Sequence, residues 1–255
     1  MLKIVAITQA RTGSTRLPNK ILKKYLGKTL LQIHIERIKT SEKVNEIIVA
    51  TTNKDEDDEI ELISKKIGVS VFRGSENNVL DRFYQSVKEI KPDLIVRLTS
   101  DCTLIDSKLI DFMIEEAIDK DVDYCSNTLV DTFPDGQDIE IFKFKSLEKA
   151  WISAKTSSDK EHVTPFIKKN SSFYNKNLFS SINIYSKIDY KNVRICVDEK
   201  NDLKVIFILL KKLGNYASWE DYTNLYLSDK EIYSLNNKIL RNEGYYKSLK
   251  NDKIK

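Results

Sequence analysis

A chain of 255 residues that is 41% hydrophobic and 31% charged, with only 7 Gly and 4 Pro, has the makings of a full core and excludes long low-complexity linkers. Its 42 basic and 38 acidic side chains leave a formal charge of +4, too balanced for a general nucleic-acid-binding surface, so any anion site must be local. Cys102, Cys125 and Cys196 stand far apart without metal-ligand spacing and read as buried thiols of a reducing compartment. The strongest apolar run, Val205 to Leu210, is too short to span a bilayer, so no membrane partner and a cytoplasmic location are expected.

From the N-terminus, apolar β-rich runs alternate with stretches whose apolar residues recur at three and four. Strands are predicted at 3–8, 46–51, 69–72 and 93–98, and helices at 30–38, 55–67, 79–90 and 107–118. That alternation implies βαβ units and a parallel sheet with helices on both faces. Asp106 and Ser107 are placed to cap the fourth helix. Beyond Asp121 the rhythm weakens: residues 123–144 read as a small β-rich excursion around a turn at Pro134-Asp135-Gly136. Helices at 146–155 and 161–169 follow, the second opened by a capping box from Ser158 to Glu161. A strand at 193–197, a helix at 203–213 and a polar helical extension over about 215–255 complete the chain. No Pro/Gly/Ser-rich linker divides it, so 1–255 is expected to be one α/β domain with a Rossmann-like, mostly parallel sheet.

In an open parallel sheet, ligands sit outside the carboxyl ends of the strands, and the loop from Gln9 to Lys20 must lie there. It offers hydroxyls at Thr12, Ser14 and Thr15, backbone N–H groups near Gly13, and cations at Arg11, Arg16 and Lys20, with no carboxylate among them. A triphosphate suits such donors, since each charge-assisted hydrogen bond contributes about 1.5–3 kcal/mol. The loop matches neither the P-loop nor the dinucleotide-binding glycine pattern, and a solvated basic turn is the competing reading. Asp101 follows the predicted strand 93–98, and Asp198 ends the predicted strand 193–197, with Asn201 or Asp202 free to cap the next helix. Two strand-end carboxylates at one sheet edge make a Mg²⁺ site, because magnesium takes one or two carboxylates plus substrate phosphates. His34 falls in a helix pattern and is expected to pack.

The stretch QARTGSTRLPNK resembles the R-x-x-S-x-R-L-P-x-K signature of the cytidylyltransferases that make CMP-activated acidic sugars, including CMP-Kdo and acylneuraminate synthetases. FRGSENNVLDRFY, RLTSDCTLID, DYCSNT, TFPDGQDIEIF, SDKEHVTPFI and VDEKNDL resemble the spore-coat polysaccharide biosynthesis protein F branch of that family, so the likeness runs from Ile4 to about Leu213. The resemblance implies the nucleotide-diphospho-sugar transferase type of fold and transfer of CMP from CTP to an acidic sugar, with pyrophosphate released, for surface polysaccharide or glycan biosynthesis. It implies that Arg11, Ser14, Arg16 and Lys20 hold the triphosphate, and that Arg11, Lys20 and Asp101 are catalytic. Arg73, Gly74, Asn78, Asp81 and Arg82 fall where related enzymes shape the nucleoside pocket. The segments around Asp101 and Asp198 resemble GDCPLID and VDTPEDL, with Ser100, Thr103 and Glu199-Lys200-Asn201 as departures.

On the acceptor side Asp135, Gln137 and His162 are the candidates, with Lys168, Lys169 or Arg194 available to a carboxylate. Tyr124, Phe133, Ile139, Ile141, Phe142 and Phe144 in the excursion exceed what a connecting loop needs. Together with the dimers common in the family, they predict a homodimer built through it, unless they pack beneath the helix at 146–155. Two other readings stay open: a nucleotide-sugar-dependent glycosyltransferase, although Asp101-Cys102-Thr103 is no D-x-D pair, and a non-catalytic nucleotide-binding partner.

Overall fold

The computed structural model describes residues 2–243, Leu249 and Asp252. In chain order the strands are β1 (Ile4–Gln9), the short ribbon β2 (Lys24–Tyr25) and β3 (Lys28–Thr29), β4 (Glu46–Thr52), β5 (Ser70–Gly74), β6 (Leu94–Thr99), β7 (Tyr124–Ser126), β8 (Glu140–Lys143) and β9 (Ser181–Asn183). Apart from the ribbon they form one sheet in the order β5-β4-β1-β6-β8-β7-β9. β1 lies parallel to both β4 and β6, and β4 parallel to β5. β8 runs antiparallel to β6 and to β7, and β9 returns parallel to β7.

The helices are α1 (Leu30–Ile38), α2 (Asp58–Lys66), α3 (Val79–Val87), α4 (Ser107–Asp119), α5 (Phe144–Ser153), α6 (Ser157–His162), α7 (Pro165–Lys169), α8 (Lys200–Leu213), α9 (Trp219–Ser228) and α10 (Lys230–Asn236). The period-two alternation of the strands divides the core between the two faces of the sheet. Ile4, Ala6, Val49 and Val96 pack with Ile35, Ile60 and Ile110 of α1, α2 and α4. Val5, Ile7, Ile48 and Ile95 pack with Phe83, Leu147 and Ile167 of α3, α5 and α7. A third cluster, Ile195, Val197, Val205, Leu209, Tyr222 and Tyr226, lies among α8, α9 and the segment before α8.

Four expectations are corrected. Residues 123–144 are no excursion: their strands β7 and β8 extend the main sheet, and Tyr124, Phe133, Ile139, Ile141, Phe142 and Phe144 are all buried within the single chain. The apolar surface that pointed to a dimer therefore already has intrachain cover. Residues 193–197 are buried but form no sheet strand. A single bridge joins Arg194 to Asp135, with hydrogen bonds from Asp135 N to Val193 O (2.9 Å) and from Ile195 N to Asp135 O (2.8 Å). The predicted helix 161–169 is two short helices, interrupted at Val163 with φ of 71°. Pro165 starts α7, at the position where its missing N–H is an orphan anyway. The cap of α6 is Thr156, which accepts from Asp159 N at 3.2 Å, not the Ser158–Glu161 box.

His34 is fully buried, as its helix pattern suggested, and ties β1 to the turn after β6. Its Nδ1 lies 2.9 Å from Cys102 O and its Nε2 2.9 Å from Thr8 Oγ1. A carbonyl only accepts, so Nδ1 carries the proton and Nε2 accepts from the hydroxyl. Burial pushes this imidazole down from 6.5 to about 4. The unfolded chain thus binds a proton that the native state refuses. The stabilisation is complete above pH 6.5 and is lost as pH falls to about 4, amounting to about 3 kcal/mol. Urea unfolding between pH 7 and pH 4 should show this slope, and His34→Gln should remove it; an unchanged slope would reject the assignment.

Candidate active site

The loop after β1 is fastened at its start. Thr12 donates from N (2.8 Å) and Oγ1 (2.7 Å) to Asp57 Oδ1, while the Thr52 hydroxyl donates to Asp57 Oδ2. Thr12 O then accepts from Ser14 N (2.7 Å) and Asn19 N (3.1 Å), and Ser14 Oγ accepts from Leu17 N at 3.4 Å. The loop is thus folded back on itself, and Lys20 opens the tight turn Lys20–Leu22 that buries Ile21. Thr12, read from the sequence as a phosphate donor, is an anchor.

Lys20 is the centre of a charge cluster. Its Nζ lies 3.2 Å from Asp101 Oδ2 and 2.8 Å from Asp198 Oδ1. Asp198 Oδ2 accepts further contacts from Arg16 at 3.0 Å and from Arg194 at 3.2 Å. Arg194 also reaches Asp135 (2.6 Å) and Asp202 (2.9 Å from each of two nitrogens), and Arg16 reaches Glu243 at 3.3 Å. A backbone bond from Val197 N to Asp101 O (3.0 Å) stitches the two carboxylate segments together. Asp202, in the first turn of α8, accepts from Asp198 N (3.0 Å) and Glu199 N (2.9 Å), and so pins the turn that carries Asp198. Capping of α8 is therefore reciprocal between Glu199 and Asp202.

Burial opposes both charges of the Lys20–Asp101 pair, and mutual attraction overrides it. Burial would raise Asp101, but the Lys20 ammonium beside it holds its carboxyl at about 2. Burial would lower Lys20, but Asp101 and Asp198 hold it above the usual lysine range. Asp101 Oδ1 is buried without a hydrogen-bond partner among the described residues. Asp135 behaves oppositely: burial and the nearby Asp138 charge raise it to about 6 against the pull of Arg241 and Arg194.

The other expected residues divide. Arg11 reaches Glu76 at 3.2 Å on the surface. Arg73 is spent elsewhere, donating to Thr52 O (2.9 Å), Lys54 O (2.7 Å), Asp58 (2.5 Å) and Glu61 (3.0 Å), so it fastens β5 to the start of α2. Asn78 caps α3 by accepting from Asp81 N at 3.1 Å, and Asp81 accepts from Trp151 Nε1 at 2.8 Å. A Cβ on Gly74 would fall 2.7 Å from Arg82 Cγ, so glycine there gives the Arg82 stem its path. Gln137 is fully buried, accepting from Asp106 N (3.0 Å) and donating to Leu104 O (2.9 Å). It braces the turn beyond Asp101 and presents no amide edge to an acceptor. Lys169 pairs with Asp159 at 2.7 Å.

Sequence reasoning put His162 and Lys168 on the acceptor side but missed the buried polar centre that they join, and Arg97 with it. Glu140, 2% exposed, accepts from Tyr124 OH (2.5 Å), Thr164 Oγ1 (2.7 Å) and Arg97 Nη1, and forms an ion pair with Lys168 Nζ at 3.0 Å. Burial would raise this carboxyl, but Lys168 and Arg97 hold it at about 2. Arg97 also donates to Gln9 at 3.2 Å, linking the centre to the end of β1. His162 lies within reach of these charges, pushed below its ordinary value by burial, with Glu161 at 3.8 Å. The signal was present as one charge inside each of two apolar strands, Arg97 in LIVRLT and Glu140 in EIFK, which the register places opposite one another. Arg241 was also missed; it donates to Phe133 O (3.0 Å) and Asp138 (2.5 Å).

The cytidylyltransferase family model matches residues 5–243. An uncharacterized protein of Methanocaldococcus jannaschii is 42% identical over 212 residues, covering 82% of this chain and 84% of its own. The spore coat polysaccharide biosynthesis protein SpsF of Bacillus subtilis is 34% identical over 219 residues, covering 84% and 89%. The structure of a cytidylyltransferase from Leptospira borgpetersenii matches with a TM-score of 0.85 and 32% identity over 94% of this chain and 99% of that one. The chain belongs to the cytidylyltransferase family, in the branch that includes SpsF, and is a CTP-dependent nucleotidyltransferase.

Proposed function

We propose that the protein transfers CMP from CTP to an acidic sugar, with Mg²⁺ held by Asp101 and Asp198 and pyrophosphate released. The observation that carries this reading is Lys20, held between those two carboxylates with Arg16 beside them. An acceptor oxygen attacks the α-phosphorus, the bond to the β-phosphate oxygen breaks, and the acceptor gives up its proton. Lys20 and Arg16 face the departing pyrophosphate, where their charges offset the charge that builds there. Without nucleotide they are neutralised by Asp101, Asp198 and Glu243, so the phosphates replace carboxylates as their partners.

The donor set suits magnesium. Asp101 Oδ1 is a buried anionic oxygen without a partner among the described residues, which hold no group of three side chains that could bind a metal on their own. Two carboxylates completed by substrate phosphates are what this hard cation takes. Bound there, it would neutralise charge on the α- and β-phosphates.

For the acceptor, Arg97 and Lys168 flank Glu140 beside the end of β1, leaving one net positive charge, with His162 at hand. A sugar carrying a carboxylate fits that balance better than a neutral one. Asp135 and Gln137 act as supports for Arg194 and for the Leu104–Asp106 turn. Pyrophosphate release from CTP and Mg²⁺ should appear with carboxylated sugars and not with their carboxamides, and UTP or ATP should substitute poorly. Equal rates with all nucleotides, or CTP binding without pyrophosphate release across a broad panel of carboxylated sugars, would overturn the reading.

A further inference from the structure

An acceptor hydroxyl that reaches the phosphate end at Asp101 from a pocket at Arg97 and Lys168 gives up its proton between those two polar centres, and Asp138 occupies that ground. β8 opens at Glu140, which the register sets opposite Arg97 of β6. Asn127 carries the pairing one step further, accepting from Ile139 N (2.9 Å) and donating from its own N to Ile139 O (3.3 Å). Continued by two residues, the register brings Asp138 level with Thr99, the last residue of β6, on the face that Glu140 and Arg97 share. Asp101 follows two residues after Thr99. The charges of Asp101 and of Lys168 both act on the Asp138 carboxyl.

That carboxyl is held at one oxygen and open at the other. Arg241 Nη2 donates to Oδ1 at 2.5 Å, and Arg241 is itself fixed by Phe133 O (3.0 Å) and Asp131 (3.3 Å). Oδ2 accepts no hydrogen bond among the described residues, and the side chain is 27% exposed. The neighbouring carboxylates are committed: Asp101 and Asp198 hold Lys20, Asp135 holds Arg194, and the buried Glu140 meets Arg97, Lys168, Tyr124 and Thr164. The charges that act on His162 are Glu161, Arg97, Lys168 and Glu140, all on the acceptor side. Burial and the charges of Asp131 and Asp101 push Asp138 above its ordinary value against the pull of Arg241, which strengthens it as a base. We propose that Asp138 is the general base of the transfer, its Oδ2 taking the proton of the attacking acceptor hydroxyl, with Arg241 as the residue that positions it. This rests on the reading of the site as one that moves CMP to a sugar hydroxyl. As the acceptor oxygen bonds to the α-phosphorus, its O–H bond breaks and the proton passes to Asp138, while the electron pair of the bond to the β-phosphate leaves with pyrophosphate.

Asp138→Asn keeps the shape of the side chain, and Arg241 retains Phe133 O and Asp131, so the variant should fold. Calorimetry should show CTP with Mg²⁺ bound within about threefold of the unmodified protein. With whichever carboxylated sugar the unmodified protein turns over fastest, kcat for pyrophosphate release should fall about 100-fold or more while the KM for CTP stays in place. Added formate, a carboxylate small enough to enter the vacated space, should raise kcat of Asp138→Ala about tenfold or more, and chloride should not. Arg241→Lys, which keeps the charge beside Asp138 but not the planar fork, should lower kcat about tenfold at unchanged KM for CTP, and it tests the pair even if the Asp138 variants do not fold. Near-normal kcat in a folded Asp138→Asn protein would overturn the proposal. So would loss of CTP binding in that variant, an Asp138→Ala protein indifferent to formate, or an unchanged kcat in Arg241→Lys. Absence of pyrophosphate release by the unmodified protein with every carboxylated sugar would instead remove the transfer reading itself.

Discussion

Asp101→Asn is expected to lower turnover by about 100-fold or more while the chain stays folded. The carboxyl is held at about 2, so it is ionised at any working pH, and one of its oxygens is buried without a partner among the described residues. The amide keeps its shape and removes its charge. Groups that stabilise charge developing in a transition state are worth about 2.7–4 kcal/mol, which is a factor of about 100 to 1,000 in rate. The fold should survive because Lys20 keeps Asp198 at 2.8 Å, so its ammonium is not stranded. Steady-state pyrophosphate release and thermal unfolding on one preparation separate the two effects. Near-normal turnover in a folded Asp101→Asn protein would reject both the metal role and the catalytic role.

The parts of this site that could be read in the sequence are those whose chemistry is local. The loop from Gln9 to Lys20 stood out because its cations have no carboxylate beside them in the chain, and β1, β4 and β6 stood out because their apolar runs are nearly unbroken. Asp198 was singled out for a reason only half correct. The segment before it is extended and buried, but it pairs with Asp135 and Asp101, not with the sheet. What escaped was decided by partners distant in sequence. Arg73 and Gln137 look like free polar groups until the backbone carbonyls of Thr52, Lys54 and Leu104 are known to lie against them. β9 is three residues, Ser-Ile-Asn, too short for periodicity, and takes its extended form from pairing with β7. The apolar character of residues 123–144 was legible but their cover was not: they pointed to a dimer surface, and that they lie buried as strands added to the main sheet depends on β8 meeting β6 antiparallel.

Glu140→Ala should be the most destabilising single change around the site, costing about 3–5 kcal/mol. The carboxylate lies where β8 pairs with β6 and is the shared partner of Arg97, Lys168, Tyr124 and Thr164. Removing one partner of a buried pair leaves the other charge uncompensated. Among the described residues Arg97, whose Nε already lacks a partner, would keep only Gln9, and the hydroxyl of the fully buried Tyr124 would lose its acceptor. Glu140→Gln offers less relief than its shape suggests, because its amide group points donors at donors. The pH dependence identifies the cause. Glu140 is lowered from 4.5 to about 2 in the folded protein, so its contribution is complete above pH 4.5 and is lost as pH falls toward 2, about 3 kcal/mol in all. Urea midpoints at pH 7 should fall sharply in Glu140→Ala, and its further loss between pH 4.5 and pH 3 should be smaller than that of the unmodified protein. An unchanged midpoint at pH 7 would mean that β8 is held by its backbone pairing and the surrounding apolar residues alone. In that event Arg97 and Lys168 would not depend on Glu140 for their positions beside the end of β1, and the charge balance assigned to the acceptor would have to come from elsewhere.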